Sequence, residues 1–175
     1  MRILLLLLEQ LKLMNLFYSI FSAMKSQQQW FDEYAESHQN ATNQRIHYIC
    51  VPIIFFSIVG LFMSIPSQFL IDVTGWENPV YANWALVALI LPMIFYIQLS
   101  LKTFILMVVF SLISLYGNSY LSQVAPLFWT SLGIFVIAWI GQFYGHKIEG
   151  KKPSFLKDIQ FLLIGPAWVF EKLTR

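Results

Sequence analysis

Charge is what this chain has least of. Only 11% of its 175 residues are charged, against about a quarter in an ordinary soluble domain. Hydrophobic residues make up 58% and the mean hydropathy is +0.64, so this surface has to meet lipid. The net charge is +2, and Lys and Arg are spread around helix ends, with no run that could track a phosphate backbone; nucleic acid is excluded as a partner. Cys50 is the single cysteine, which rules out an internal disulfide framework and any Cys-rich zinc motif. It reads as a small buried residue of a membrane helix. Gly-rich phosphate loops, a G-x-S-x-G elbow and an H-E-x-x-H helix are all missing. Three histidines are also too few for a multi-histidine di-iron desaturase.

What is present is a set of long apolar runs. Residues 46–65, 80–99, 103–121 and 127–144 each approach the roughly 20 residues that a spanning helix requires, with Pro92 tolerated inside the second. The fold class is therefore all-α: an integral membrane bundle of about four transmembrane helices with short interfacial helices. Residues 1–25 form an N-terminal extension or interfacial helix, and 26–175 one membrane domain. The short run 3–8 lacks a small-residue cleavage site and is not read as a signal peptide; the chain could equally begin at Met14 or Met24. The loop between the first two spans carries Asp72 and Glu77 but no Lys or Arg, so it faces out. Arg45, Lys102, Lys147, Lys151, Lys152 and Lys157 then fall inside, with both termini cytoplasmic. After the fourth span, Phe155, Leu156, Ile159, Leu162 and Leu163 recur at helical spacing. A short amphipathic helix follows, broken at Gly165-Pro166 and lying at the cytoplasmic interface as a lid or floor.

The chemistry rests on His38, His47 and His146. The first two precede the first span and the third follows the last, so all three reach one face of the membrane, and imidazole is the commonest metal ligand. Nine residues separate His38 from His47, which puts them on opposite sides of a straight helix. A shared site needs a break, and Gln39-Asn40-Ala41-Thr42 offers turn and N-cap residues for it. Trp30, Tyr34 and His38 then line one face of a first helix, and Asn43 and His47 stand at i, i+4 on the next. Polar groups packed against a membrane are costly and mark function, so Tyr34, Asn40, Asn43 and Glu149 join the histidines as candidate catalytic groups. Two roles stay open for Glu149: a surface ion pair with Lys147 or Lys151, or a part in the site as ligand or support. The inventory leaves a mononuclear centre of three His, or His plus carboxylate, with open positions, which suits non-haem Fe(II) and dioxygen. Neutral imidazoles suit zinc as well, so a zinc-dependent lipid hydrolase is the alternative. A transporter would want polar groups at mid-membrane, whereas Lys102, Asp72 and Glu77 lie in loops. A purely structural membrane protein needs no histidine cluster.

Two motifs carry a family resemblance. They are Tyr34-x-x-x-His38-x-Asn40-x-x-Asn43-x-x-x-His47, with Pro52 soon after, and Gly141-Gln142-Phe143-x-Gly145-His146-x-x-Glu149-x-x-x-Pro153. In this order, separated by the spans, they resemble the membrane dioxygenases that act on 2-hydroxy fatty acids, long catalogued as a domain of unknown function. The resemblance covers residues 30–172. It implies Fe(II)-dependent α-oxidation, in which a 2-hydroxy fatty acid and dioxygen give the acid one carbon shorter plus carbon dioxide, as in phytosphingosine breakdown. The family's metal-binding histidines correspond to His38, His47 and His146. Two departures stand out: Ala41 replaces a Pro of fungal members, and Glu149 follows His146 by three residues instead of four. A site at headgroup level would let the acyl tail stay among the helices while its carboxylate and 2-hydroxyl reach the iron. Lys147, Lys151 and Lys152 read chiefly as topology signals.

Overall fold

The computed structural model describes residues 25–152 and 160–174. The expected N-terminal extension lies outside them, as do Pro153, Phe155, Leu156, Lys157 and Ile159. The described residues form seven helices and no strand: α1 Gln27–Ala35, α2 Ala41–Met63, α3 Gln68–Thr74, α4 Trp84–Leu99, α5 Leu101–Val124, α6 Leu127–Glu149 and α7 Phe161–Leu173. Among them α2, α5 and α6 are long and apolar enough to cross a membrane. The expected second span is shorter. Val80 to Asn83 are turns, and the helix starts only at Trp84, where Asn83 caps it by accepting from the Leu86 N–H. Its 16 residues reach about 24 Å, short of a hydrocarbon core of roughly 30 Å.

The helix starts are written in the sequence. Ser26 and Gln29 form a capping box at α1, reciprocally satisfying two N–H groups that would otherwise be orphaned. Asn40 caps α2, its Oδ1 accepting from Thr42 and Asn43 N–H at 2.8 and 3.3 Å, so the expected break is real. α2 and α6 both run past the apolar stretches that announce them. α2 includes Asn43, Arg45 and His47, and α6 continues to Glu149, where Gly150 at φ 71° closes it in a left-handed C-cap.

α2 is the hub, packing on α4, α5, α6 and α7, most extensively on α6. Two glycines one turn apart let the α2 and α6 backbones approach. A Cβ on Gly141 would meet Cys50 Sγ at 2.7 Å, and one on Gly145 would meet Asn43 Oδ1 at 2.3 Å. This small-x-x-x-small spacing is the usual way for membrane helices to gain contact when lipid gives no hydrophobic drive to associate. Cys50 is accordingly half-buried against Gly141.

α7 corrects an expectation. The helix runs through Gly165-Pro166 without a break. Proline in a helix interior removes one hydrogen bond, but here Ile164, Gly165, Pro166, Ala167, Trp168 and Val169 are all buried. Tyr96 Oη also donates to the Leu163 carbonyl at 3.0 Å, in the turn before the proline. At the same end of the bundle Lys102 pairs with Glu171 at 3.1 Å, and Thr103 donates to Gln27 at 3.2 Å. The start of α5 is thereby tied to both α1 and α7.

Candidate metal centre

Three separate pieces of chain deliver the three imidazoles. His38 lies in the turn after α1, where Tyr34 stacks on it at 4.1 Å between centroids with planes 12° apart. It therefore stands beyond the helix that was expected to carry it, yet keeps the expected Tyr34 neighbour. His47 stands in the second turn of α2 and His146 in the last turn of α6. The ring centroids of His38, His47 and His146 are 4.3, 5.0 and 4.8 Å apart. One nitrogen from each falls within 4.8 Å of the others, and the residues are 1%, 1% and 5% exposed.

The donor set fits a metal ion. His38 Nδ1 lies 2.6 Å from the Tyr34 carbonyl and His47 Nδ1 2.9 Å from the Asn43 carbonyl. An acceptor-only carbonyl assigns the N–H to Nδ1 and leaves Nε2 as the lone-pair nitrogen, the arrangement common to metal-bound histidines. His38 Nε2 is buried with no hydrogen-bond partner, and so is His146 Nδ1. Burial pushes the His38 imidazole down to about 4, an effect only partly opposed by its bond to the Tyr34 carbonyl. It is neutral at physiological pH, the form that ligates. Burial likewise raises the Tyr34 phenol, which stays protonated. Three buried imidazoles can thus hold an ion here, and buried polar atoms without partners call for some such explanation.

Of the two roles left open for Glu149, its contacts are those of a support. Its Oε1 accepts the Gln39 N–H at 2.9 Å, and its Oε2 accepts the Asn40 N–H at 2.8 Å and Asn43 Nδ2 at 3.1 Å. The carboxylate clamps the His38 turn and the first turn of α2 onto the end of α6. Lys151 is engaged elsewhere, donating to the Glu36 carbonyl. Asn43 is fully buried and its Nδ2 also donates to the Ser37 carbonyl at 3.2 Å. Asn40 is exposed and its side chain is used as the cap. Among the expected catalytic groups, Tyr34 is the one that lines the cavity beside the histidines; Asn40, Asn43 and Glu149 are brought together behind them.

Two residues of this region were not singled out as site residues. Gln142, one turn before His146, is 5% exposed and lines the same cavity, and its Nε2 is buried without a partner. A glutamine inside an otherwise apolar span was a readable signal. Trp168 of α7 is buried 5.7 Å from the His38 ring and 5.4 Å from Tyr34, between centroids; nothing in its sequence context announces that.

Fold and site define a helical protein with long apolar helices and a buried three-histidine pocket able to hold a metal ion. The chain belongs to the 2-hydroxy-palmitic acid dioxygenase Mpo1-like family, which it matches over residues 24–175. No curated protein and no solved structure matches it.

Proposed function

We propose that this chain is an Fe(II)-dependent membrane dioxygenase that converts a long-chain 2-hydroxy fatty acid and dioxygen to the acid one carbon shorter, carbon dioxide and water. The observation that carries the reading is the buried histidine trio, two of whose nitrogens lack any partner within the protein, joined to the family's name. Oxidation of the substrate's first two carbons releases as many electrons as dioxygen accepts, so the reaction balances without an added reductant. Iron held by His38, His47 and His146, with positions left open, would supply dioxygen activation and a docking point for the carboxylate and 2-hydroxyl. The protein's own part is to hold three neutral imidazoles, to keep bulk water away with Tyr34, Trp168 and α7, and to fix the His38 turn through Glu149. Asn40 and Asn43 act as positioning residues in this scheme, and Tyr34 presents its ring and hydroxyl to the cavity.

The same reading takes α2, α5 and α6 as spans, and the shorter α4, led in by the turns from Val80, as a fourth, with the histidine end and both termini in the cytoplasm. Arg45 and Lys102 fall in the first turns of α2 and α5, and Lys147, Lys151 and Lys152 at or just past the end of α6, all at that end, whereas the segment around α3 has only Asp72 and Glu77, as the positive-inside bias requires. Protein purified without oxygen, then loaded with iron, with zinc or with no metal, tests the proposal. Iron-dependent loss of 2-hydroxypalmitate, matched by oxygen uptake and the fatty acid one carbon shorter, is expected. Turnover with zinc, or turnover without oxygen uptake, overturns the dioxygenase and favours a hydrolase on the same ligands.

A further inference from the structure

From the three histidines a groove descends between α2 and α6, floored by α7. Along α2 its wall is the stripe His47, Val51, Ile54 and Ile58, and along α6 it is His146, Gln142 and Trp139. The empty space is about 540 Å³, part of it open at the surface. Polarity runs one way: the imidazoles and the unpartnered Gln142 Nε2 stand at one end, and everything beyond Val51 on the α2 side is aliphatic or aromatic. Exposure runs the other way. Val51 and Ile54 are 8% and 9% exposed, whereas Ile58 is 37% exposed, so the groove is closed beside the histidines and opens sideways on the apolar surface of the bundle.

We propose that this groove holds the substrate's acyl chain as a ruler with an open end, the polar head at the histidines and the methyl end leaving toward the bilayer at Ile58. The inference rests on the reading of the substrate as a long-chain 2-hydroxy acid. At a rise of about 1.5 Å per residue, Val51, Ile54 and Ile58 lie about 6, 10 and 16 Å from the level of His47. An extended chain advances about 1.2 Å per bond, so the groove accommodates about 13 bonds, close to the tail of a sixteen-carbon acid. Methylenes past Ile58 exchange one apolar surrounding for another and add no discrimination, because lipid tails are as apolar as leucine. Chains longer than this are therefore accepted alike, and length selection arises only where a side chain blocks the groove.

Two measurements test this. Ile54→Trp closes the groove at about 10 Å and should lower the turnover of sixteen-carbon relative to eight-carbon 2-hydroxy acids by about tenfold or more, the scale of overpacking penalties. Val87→Trp, in a separate apolar groove between α4 and α5, should leave that ratio unchanged. In the wild type, sixteen-, twenty- and twenty-four-carbon acids should turn over at comparable rates; a steep fall beyond sixteen carbons refutes the open end. The second measurement needs neither iron nor turnover. A 2-hydroxyhexadecanoic acid carrying a diazirine near its methyl end is photolysed with full-length protein in nanodiscs, and the adducts are mapped by mass spectrometry. Adducts on α2 around Ile54 and Ile58 are expected; adducts confined to α4 and α5 overturn the assignment even where Ile54→Trp misfolds. Absence of turnover in iron-loaded wild type with correctly placed adducts would sink the proposed reaction, not the groove.

Discussion

Replacing Glu149 by alanine removes three hydrogen bonds at once, to Gln39 N, Asn40 N and Asn43 Nδ2. The carboxylate is only half-buried, so each bond is taken at the value of an ordinary neutral hydrogen bond, roughly 1 kcal/mol, below the range for charged acceptors, and the total loss of stability at about 3 kcal/mol. Glu149→Gln keeps one acceptor oxygen but turns an NH₂ toward backbone N–H groups, so it should recover less than half of that. The greater consequence is local. Gln39 and Asn40 directly follow His38, and freeing them loosens one of the three imidazoles, which should weaken metal binding about 10- to 100-fold, the usual effect of losing a support behind a ligand. Affinity is read by competition with a chromophoric chelator on detergent-solubilised apoprotein, alongside thermal unfolding. Should Glu149→Ala bind metal as tightly as the wild type and melt at the same temperature, the clamp has no role in forming the site.

Substituting any one of His38, His47 or His146 by alanine should abolish stoichiometric metal binding, measured by elemental analysis after gel filtration, while helicity by circular dichroism stays near wild type. Gly145→Ala should destabilise by about 1–3 kcal/mol, because its Cβ would meet Asn43 Oδ1 at 2.3 Å; Gly133→Ala meets nothing within 4 Å and should be neutral or slightly stabilising. Denaturation of the two variants side by side checks the contrast. Asn40→Ala should cost about 1 kcal/mol of cap energy and Asn40→Asp very little. In a Cys50→Ser background, cysteines placed at Ser67 and Lys151 should react with an impermeant maleimide from opposite sides of sealed vesicles; labelling from one side would refute the four-span topology.

Helix positions were legible wherever hydrophobicity ran unbroken, and the break between the first two histidines was legible from their spacing of nine and from Asn40. Helix ends were not: the apolar runs begin at Ile46 and stop at Tyr144, whereas α2 starts upstream at Ala41 with Asn43 on its buried face, and α6 continues through the buried Gly145 and His146 to Glu149. The continuity of α7 through Pro166 was hidden for a related reason: a proline's cost is visible in sequence, but the burial of Trp168 and Val169 that offsets it is tertiary. The histidines themselves were found by counting; their approach to within 4.8 Å is a property of the packing. Glu149 marks the limit of such reading, since its partners are backbone N–H groups more than a hundred residues away, which no side-chain pattern reports.

The contact of Gly145 with Asn43, one turn from that of Gly141 with Cys50, also decides how the pocket can yield. His47 and His146 ride on two closely packed helices, where α2 side chains lie directly against the α6 glycines, so their separation is as stiff as the helix pair itself. His38 sits on a short turn outside any helix, retained by stacking on Tyr34 and by the neighbouring Glu149 clamp. Compliance is thus unequally shared: two imidazoles form a fixed jaw and the third is the movable one. An ion of a different radius would be accommodated by displacing the His38 turn, and the strain would pass to Gln39, Asn40 and the last turn of α6 while the middle of the bundle stayed still.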